Sequence, residues 1–545
     1  MRVLCLGLDG ADYDLVRDLL AEGKLPTLDR LSREGTFGPL RSTIPAFTPT
    51  AWSSFLTGLN PGGHGIFSFS SNPNRATGRL ESAASRAGAP LWRMLGAAGL
   101  RSAFVTVPFT HPPEPLRGLM VTGFGGPQRP EIVPAAARAA ILSAHPDLLT
   151  AHHPTGWSED FVAFAERLVD HVGQIADVCL LALELEPDLG LLCVDFMSSD
   201  IAGHLAWHRL DPTHPAHSPE DAGDELIQVY EAIDRACGEL VEQARWLWGE
   251  EPTVLILSDH GMKPTHWVFR ANRWLEQAGY LRYRAGSATP AADATEVDER
   301  FLLTRRRQPQ AEEPPFAEID FASTKAYCFG YGGQIYLGEL TRAAEDTGFA
   351  RELADALASI RHPETDAPAF EVKTKEDLYR GAFYEKAPEL VLLPFDERVH
   401  VESSHQQWPA VFERHERLLV RGSGHFSGQH ARTGILAAAG PGIRSADMPK
   451  DADITRLPAT LLALFGVAAD LDGAPLDEIL DPVITSERIP VTVAARAPVQ
   501  RPVYSKEEEA RMIERLRDRA TNSERAAFKR PSPSCVWSSA QQPYP

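Results

Sequence analysis

Residues 2–10 read RVLCLGLDG. Positions 2–8 show no alternation of polar and apolar residues, so a strand here carries apolar side chains on both faces, as strands inside a parallel sheet do. The run ends at Asp9 and Gly10. A carboxylate at the carboxyl end of a buried strand stands where open α/β sheets place ligand-binding groups. The same pattern recurs down the chain. Apolar runs from Ser102 to Val107, Leu189 to Val194, Thr253 to Leu257 and Gly434 to Ala439 read as further buried strands. Segments with helical spacing separate them: Leu15 to Leu20, Leu25 to Leu31, Leu91 to Ala98, residues 159–186, Leu226 to Ala244 and Ile454 to Phe465. This alternation predicts an α/β fold, a central and mostly parallel sheet flanked by helices on both faces.

The chain has 545 residues and a formal net charge of -20, from 74 acidic and 54 basic side chains. An acidic surface opposes phosphate backbones and anionic lipid, so polymeric nucleic acid and membrane are excluded as expected partners. A small anionic substrate stays compatible, because bound metal reverses the field locally. The six cysteines, Cys5, Cys179, Cys193, Cys237, Cys328 and Cys535, lack CxxC spacing and read as reduced core residues. The first apolar stretch is too short for a signal peptide, and no window approaches the ~20 apolar residues of a membrane span. A soluble, cytoplasmic protein is expected.

Strand ends and loops carry the chemistry. Residues 42–69 read STIPAFTPTAWSSFLTGLNPGGHGIFSF and set Thr48 before Pro49, at the entrance to a helical run from Thr50 to Thr57. A hydroxyl there reads either as a helix cap or as a nucleophile held where free amides favour a phosphoryl or sulfuryl group. After the strand ending at Val194 come Asp200 and His204, four apart, so that one turn or helical face brings both side chains together. After Leu257 come Asp259 and His260, with Gly261 expected to permit the turn that lets both face one ion. His430 stands just before the run Gly434 to Ala439. His208, His214 and His217 read as solvated loop residues, and GFGG at Gly123 to Gly126 as a plain turn.

Three carboxylates (Asp9, Asp200, Asp259), three imidazoles (His204, His260, His430) and one hydroxyl (Thr48) thus gather toward one sheet edge. Mixed Asp/His donors suit zinc, with manganese as the alternative, and six such ligands are enough for two divalent ions. With these motifs in view, the chain resembles the alkaline phosphatase superfamily, and within it the type I phosphodiesterase/nucleotide pyrophosphatase branch. Its likeness is nearest to the predicted intracellular phosphohydrolases or phosphomutases of bacteria and archaea. GLDG at Asp9, TPTAWSSFLTGLNPGGHGI from Thr48, DIAGH at Asp200, SDHGM at Asp259 and SGQHARTGILAAAGPGI at His430 carry the resemblance, which covers roughly residues 1–480.

The resemblance implies an alkaline-phosphatase-like sheet and two metal ions, one held by Asp9, Thr48, Asp259 and His260 and the other by Asp200, His204 and His430. It makes Thr48 the residue that takes the phosphoryl group from a small phosphorylated substrate, a phosphodiester or nucleotide-like molecule. His425 competes for the last ligand place, and His64 reads as structural. The family usually carries an asparagine where Phe69 stands here, and the CxPxR signature of sulfatases is absent. A phosphomonoesterase or phosphomutase, and a non-catalytic metal-bound binding protein, are the alternative functions.

The expected organisation is a core over 1–262, an inserted cap over 263–424, a second core part over 425–482 and an extension over 483–545. The cap is expected to supply either substrate contacts or a second packed core, from Trp274, Tyr280, Tyr283, Tyr327, Phe329, Tyr331 and Tyr336. A loop over 286–316, a charged helix from Lys506 to Arg519 and a disordered final tail are also expected.

Overall fold

The computed structural model describes residues 1–72, 80–151, 160–284, 319–343, 347–403, 410–416, 426–485, 488–494 and 498. The expected loop over 286–316, the helix from Lys506 to Arg519, the tail, Cys535 and His425 lie outside them.

The anticipated sheet is present. Its strands are β1 (Val3–Leu8), β2 (Thr36–Arg41), β3 (Arg101–Val105), β4 (Gly118–Val121), β5 (Ile132–Val133), β6 (Leu189–Phe196) and β7 (Thr253–Leu257). A two-stranded ribbon of β8 (Gly261–Pro264) and β9 (Gly428–Ala431) follows, and β10 (Thr433–Ala439) completes the main sheet. The order across the eight strands is β2-β10-β7-β1-β6-β3-β4-β5. β1 pairs in parallel with β6 and β7, and β3 in parallel with β6 and β4.

Antiparallel pairing is confined to the margins, where β10 pairs with β2 and β7, and β5 with β4. β2 is an addition to the expected order. Its sequence TFGPLR is half exposed and contains Pro39, which an outer strand tolerates because one row of its backbone donors needs no partner.

Alternate residues of each buried strand serve opposite faces. Leu4, Leu6, Leu192, Val194, Val254 and Ile256 face one apolar core. Cys5, Cys193, Leu255, Leu257 and Leu436 face the other. The first is covered by α2 (Phe161–Leu185), α3 (Ser198–Leu210) and α4 (Glu225–Trp248). The second is covered by α1 (Thr48–Thr57) and α5 (Leu457–Leu464). Because Leu436 is fully buried between β2 and β7, Leu436→Ala is expected to cost about 2–5 kcal/mol in urea-induced unfolding.

Between β8 and β9 lie two smaller sheets. One is antiparallel, built from Ala326–Cys328, Gln334–Leu337, Phe370–Thr374 and Leu390–Pro394; the other joins Trp267–Arg270 to Val399–Glu402 and Phe412–Arg414. They share their own apolar cluster, which takes in Tyr327, Phe329 and Tyr336 with Trp274, Tyr280 and Tyr283 at its margin. Six of the seven aromatics in question therefore pack a second core. The five described cysteines are buried and unpaired. Among the described residues no helix is long and apolar enough to cross a membrane.

Candidate metal centre and nucleophile

The carboxyl ends of β1, β6 and β7 bring the expected ligands together. Asp9 prolongs β1, its amide donating to the Phe196 carbonyl at 3.3 Å. Gly10 then turns in the left-handed region (φ 68°), which favours glycine, and its amide donates to Asp259 Oδ1 at 3.3 Å. Asp200 and His204 share one face of α3, a turn apart. The ribbon brings in His430 opposite Met262, so that its ring stacks on that of His260 with 3.8 Å between centroids.

Gly261 behaves differently from expectation. Its φ is not left-handed; instead a Cβ there would lie 2.2 Å from the Thr433 carbonyl oxygen, so glycine lets β8 pass close to the start of β10.

Two triads result. In one, His260 Nε2 lies 3.5 Å from Asp9 Oδ1, 3.4 Å from Asp259 Oδ2 and 3.1 Å from Thr48 Oγ1. In the other, Asp200 Oδ1 lies 3.4 Å from His204 Nε2 and 3.2 Å from His430 Nε2, and the two nitrogens are 2.9 Å apart. Ligand atoms around a tetrahedral ion with bonds near 2.0–2.1 Å sit about 3.3 Å from one another, so both triads have the spacing of a coordination shell.

Protonation agrees with that fit. His204, His260 and His430 each place Nδ1 against a backbone carbonyl, of Gly428 (2.8 Å), Gly261 (3.0 Å) and Ala46 (3.3 Å). With Nδ1–H donating there, each Nε2 turns a lone pair toward the carboxylates, the arrangement that fixes metal-ligating imidazoles. The facing oxygens, Asp9 Oδ1, Asp200 Oδ1 and Asp259 Oδ2, are buried without a hydrogen-bond partner among the described residues. Lone pairs turned on one another in a buried site repel, and a divalent cation removes the conflict.

Burial, together with the Asp259 and Asp200 charges, raises the Asp9 carboxyl well above the usual carboxylate range. Burial and then Asp200 do the same to Asp259. Burial also pushes Asp200 up, but His204, His430 and His260 together outweigh it and hold that carboxyl below its ordinary value.

Thr48 opens α1, yet it does not cap it. The N-cap is Phe47, and no side chain caps this end; the amides of Thr50 and Ala51 both donate to the Phe47 carbonyl. The Thr48 hydroxyl is thus released toward His260. Among the described residues its amide donates to no acceptor, as amides in the first turn of a helix commonly do.

Around this centre stands an aromatic wall. Phe69 lies edge-on to Phe47 at 4.9 Å and to Phe124 at 5.5 Å, with Phe109 at 5.8 Å. Tyr331 stacks on Phe47 at 4.5 Å, donates to Gln429 at 2.8 Å and accepts from the His430 amide at 2.9 Å. Of the seven aromatics named above, it is the one that reaches His430. The GFGG turn packs behind, where a Cβ on Gly123 would lie 2.0 Å from the Thr106 carbonyl oxygen.

His64, His208, His214 and His217 stay outside the centre. His64 accepts from the Ile66 amide and pairs with Ser54 Oγ at 3.0 Å, so both its ring nitrogens hold a turn, and burial pushes it down to about 3. His208 and His214 are buried, not solvated: His214 Nε2 donates to the Ser427 carbonyl, and its ring packs among His208, His266 and His415. His217 is half-buried and binds the His208 carbonyl.

A family model described as type I phosphodiesterase / nucleotide pyrophosphatase matches residues 3–416. Among solved structures, murine ectonucleotide pyrophosphatase/phosphodiesterase 5, an inactive form in complex with AMP, is similar at 15% identity over 88% of this chain and 100% of that one, with a TM-score of 0.49. The human protein of that name is similar at 15% identity over 88% and 100% of the two chains, with a TM-score of 0.48. Phosphonoacetate hydrolase from Sinorhizobium meliloti in complex with phosphonoformate is similar at 16% identity over 84% and 94%, with a TM-score of 0.49. No curated protein sequence matches the chain.

Proposed function

Because the chain belongs to the type I phosphodiesterase/nucleotide pyrophosphatase family, we propose that it is a two-metal phosphohydrolase that cleaves a phosphodiester or nucleotide-like ester through a phosphothreonine on Thr48. The observation that carries this reading is the placement of Thr48 Oγ1 3.1 Å from His260 Nε2, beside two triads with metal-ligand spacing. Asp9, Asp259, His260 and Thr48 would hold one divalent ion; Asp200, His204 and His430 would hold the other. The mixed Asp/His donor set supports zinc, with manganese as the alternative. When bound, such ions acidify a coordinated alcohol and offset charge on the transferring phosphoryl group.

The chain's own residues do the rest. The first turn of α1 fixes Thr48, whose oxygen forms the new bond to phosphorus as the ester oxygen leaves. Its amide is placed to donate to a phosphoryl oxygen. Water then displaces the threonine, so one water is consumed per ester and the hydroxyl is restored. The three imidazoles are kept in one tautomer by their carbonyl partners throughout. Five buried, unpaired cysteines support a reducing, cytoplasmic setting.

Turnover of matched mono- and diester p-nitrophenyl substrates by the zinc-loaded protein tests the proposal. Diester hydrolysis is expected to dominate, and a monoester preference of orders of magnitude would make the protein a phosphomonoesterase or phosphomutase. One observation favours that second reading, because Phe69 offers no donor to a further phosphoryl oxygen. Phe69→Asn is accordingly expected to shift the diester-to-monoester ratio of kcat/KM toward the diester by about tenfold, the value of roughly one hydrogen bond. No turnover of either ester at full metal loading would leave a metal-bound binding protein.

A further inference from the structure

We propose that Trp52 is a positioning residue that sets the aim of Asp9 and couples it to the nucleophile helix; this rests on the two-metal reading of the site. Asp9 has two oxygens with different tasks. Oδ1 faces His260 and has no hydrogen-bond partner among the described residues, whereas Oδ2 accepts from Trp52 Nε1 at 2.9 Å. A single indole N–H therefore decides which oxygen turns inward. Trp52 is fully buried and stands one helical turn after Thr48 on α1. The bond thus ties the helix that presents the hydroxyl to the strand end that presents the ligand.

Packing alone does not account for this contact. Trp92 is as deeply buried in the same apolar cluster, and among the described residues its N–H has no hydrogen-bond partner, so burial in this core does not by itself require one. The strand also makes room for the Trp52 ring: a Cβ on Gly7 would lie 2.8 Å from Trp52 Cη2. A ring slotted against β1 with its donor on a ligand's outer oxygen is the arrangement by which supporting groups orient first ligands and raise metal affinity.

The test is a Zn2+ titration of the full-length, metal-stripped protein against a chromogenic chelator, read beside its melting temperature without metal. The wild-type protein is expected to bind two ions. Trp52→Phe keeps a ring and removes the N–H, and is expected to weaken one of the two sites by about 10- to 100-fold while leaving the other at wild-type affinity. Replacement of Trp52 by benzothienylalanine keeps the shape of the whole side chain and removes only the donor. It is expected to weaken the same site and to melt as the wild type does, and it decides the matter if the phenylalanine variant does not fold. Wild-type affinity at both sites in the benzothienylalanine protein would overturn the proposal, as would equal weakening of both. A wild-type protein that binds no Zn2+ would instead overturn the metal reading beneath it.

Discussion

Replacing Thr48 with alanine is expected to lower turnover by roughly three to six orders of magnitude, the scale on which removal of a covalent nucleophile acts, while both metal ions stay bound. The separation of these two effects follows from the start of α1. Since Phe47 is the N-cap and no side chain caps the helix, the Thr48 hydroxyl contributes no capping bond. Its partner is His260 Nε2. Alanine therefore deletes the nucleophile and one oxygen donor but leaves six Asp and His ligands and the helix they face. Metal analysis, melting temperature and single-turnover kinetics on the same preparation distinguish the outcomes. Near-normal turnover at full metal loading would rule out the covalent path and make water the nucleophile.

Much of the clustering of these candidate ligands was legible because they obey a simple rule. Apolar runs such as VLCLGL and TVLIL are dictated by burial on both faces of the sheet, and a charged residue at their carboxyl ends is costly unless something pairs with it. Asp9, Asp259 and His260 stand out for that reason. Spacing alone did the same for Asp200 and His204, which one helical face brings together. Other features depend on partners distant in sequence. Nothing near His208 or His214 announces burial, because Ser427, His266 and His415 create their environment.

Trp52 and Tyr331 were hidden for the opposite reason: each reads locally as an ordinary apolar residue, and only the fold brings its single polar atom to Asp9 or His430. Thr48 lies between these cases. Its neighbours allow a cap or a nucleophile, and the Phe47 carbonyl, which accepts the amides of Thr50 and Ala51, leaves the Thr48 side chain without a capping role.

Relative to the loaded protein, the metal-free protein is expected to lose stability as pH rises. In the metal-free fold, burial raises the carboxyls of Asp9 and Asp259 well above their ordinary range. An unfolded chain releases those protons near pH 4, whereas the folded chain retains them to higher pH, so the native state binds more protons across that window. The contribution of these groups then declines as pH rises from about 4 toward the native values, at up to about 1.4 kcal/mol per pH unit for each. Asp200 runs the other way, its carboxyl held low by His204, His430 and His260, but its contribution is lost only as pH falls below the ordinary range.

Bound cations replace the retained protons, and saturation at a hundred times Kd adds about 2.7 kcal/mol. The melting temperatures with and without Zn2+ should therefore diverge progressively between pH 5 and pH 8. His260→Ala and Asp200→Ala each remove a ligand, so each should lose metal occupancy and turnover together and recover part of both in excess Zn2+. Parallel melting curves across this pH range, or either variant with full occupancy at wild-type affinity, would show that these triads do not hold the ions.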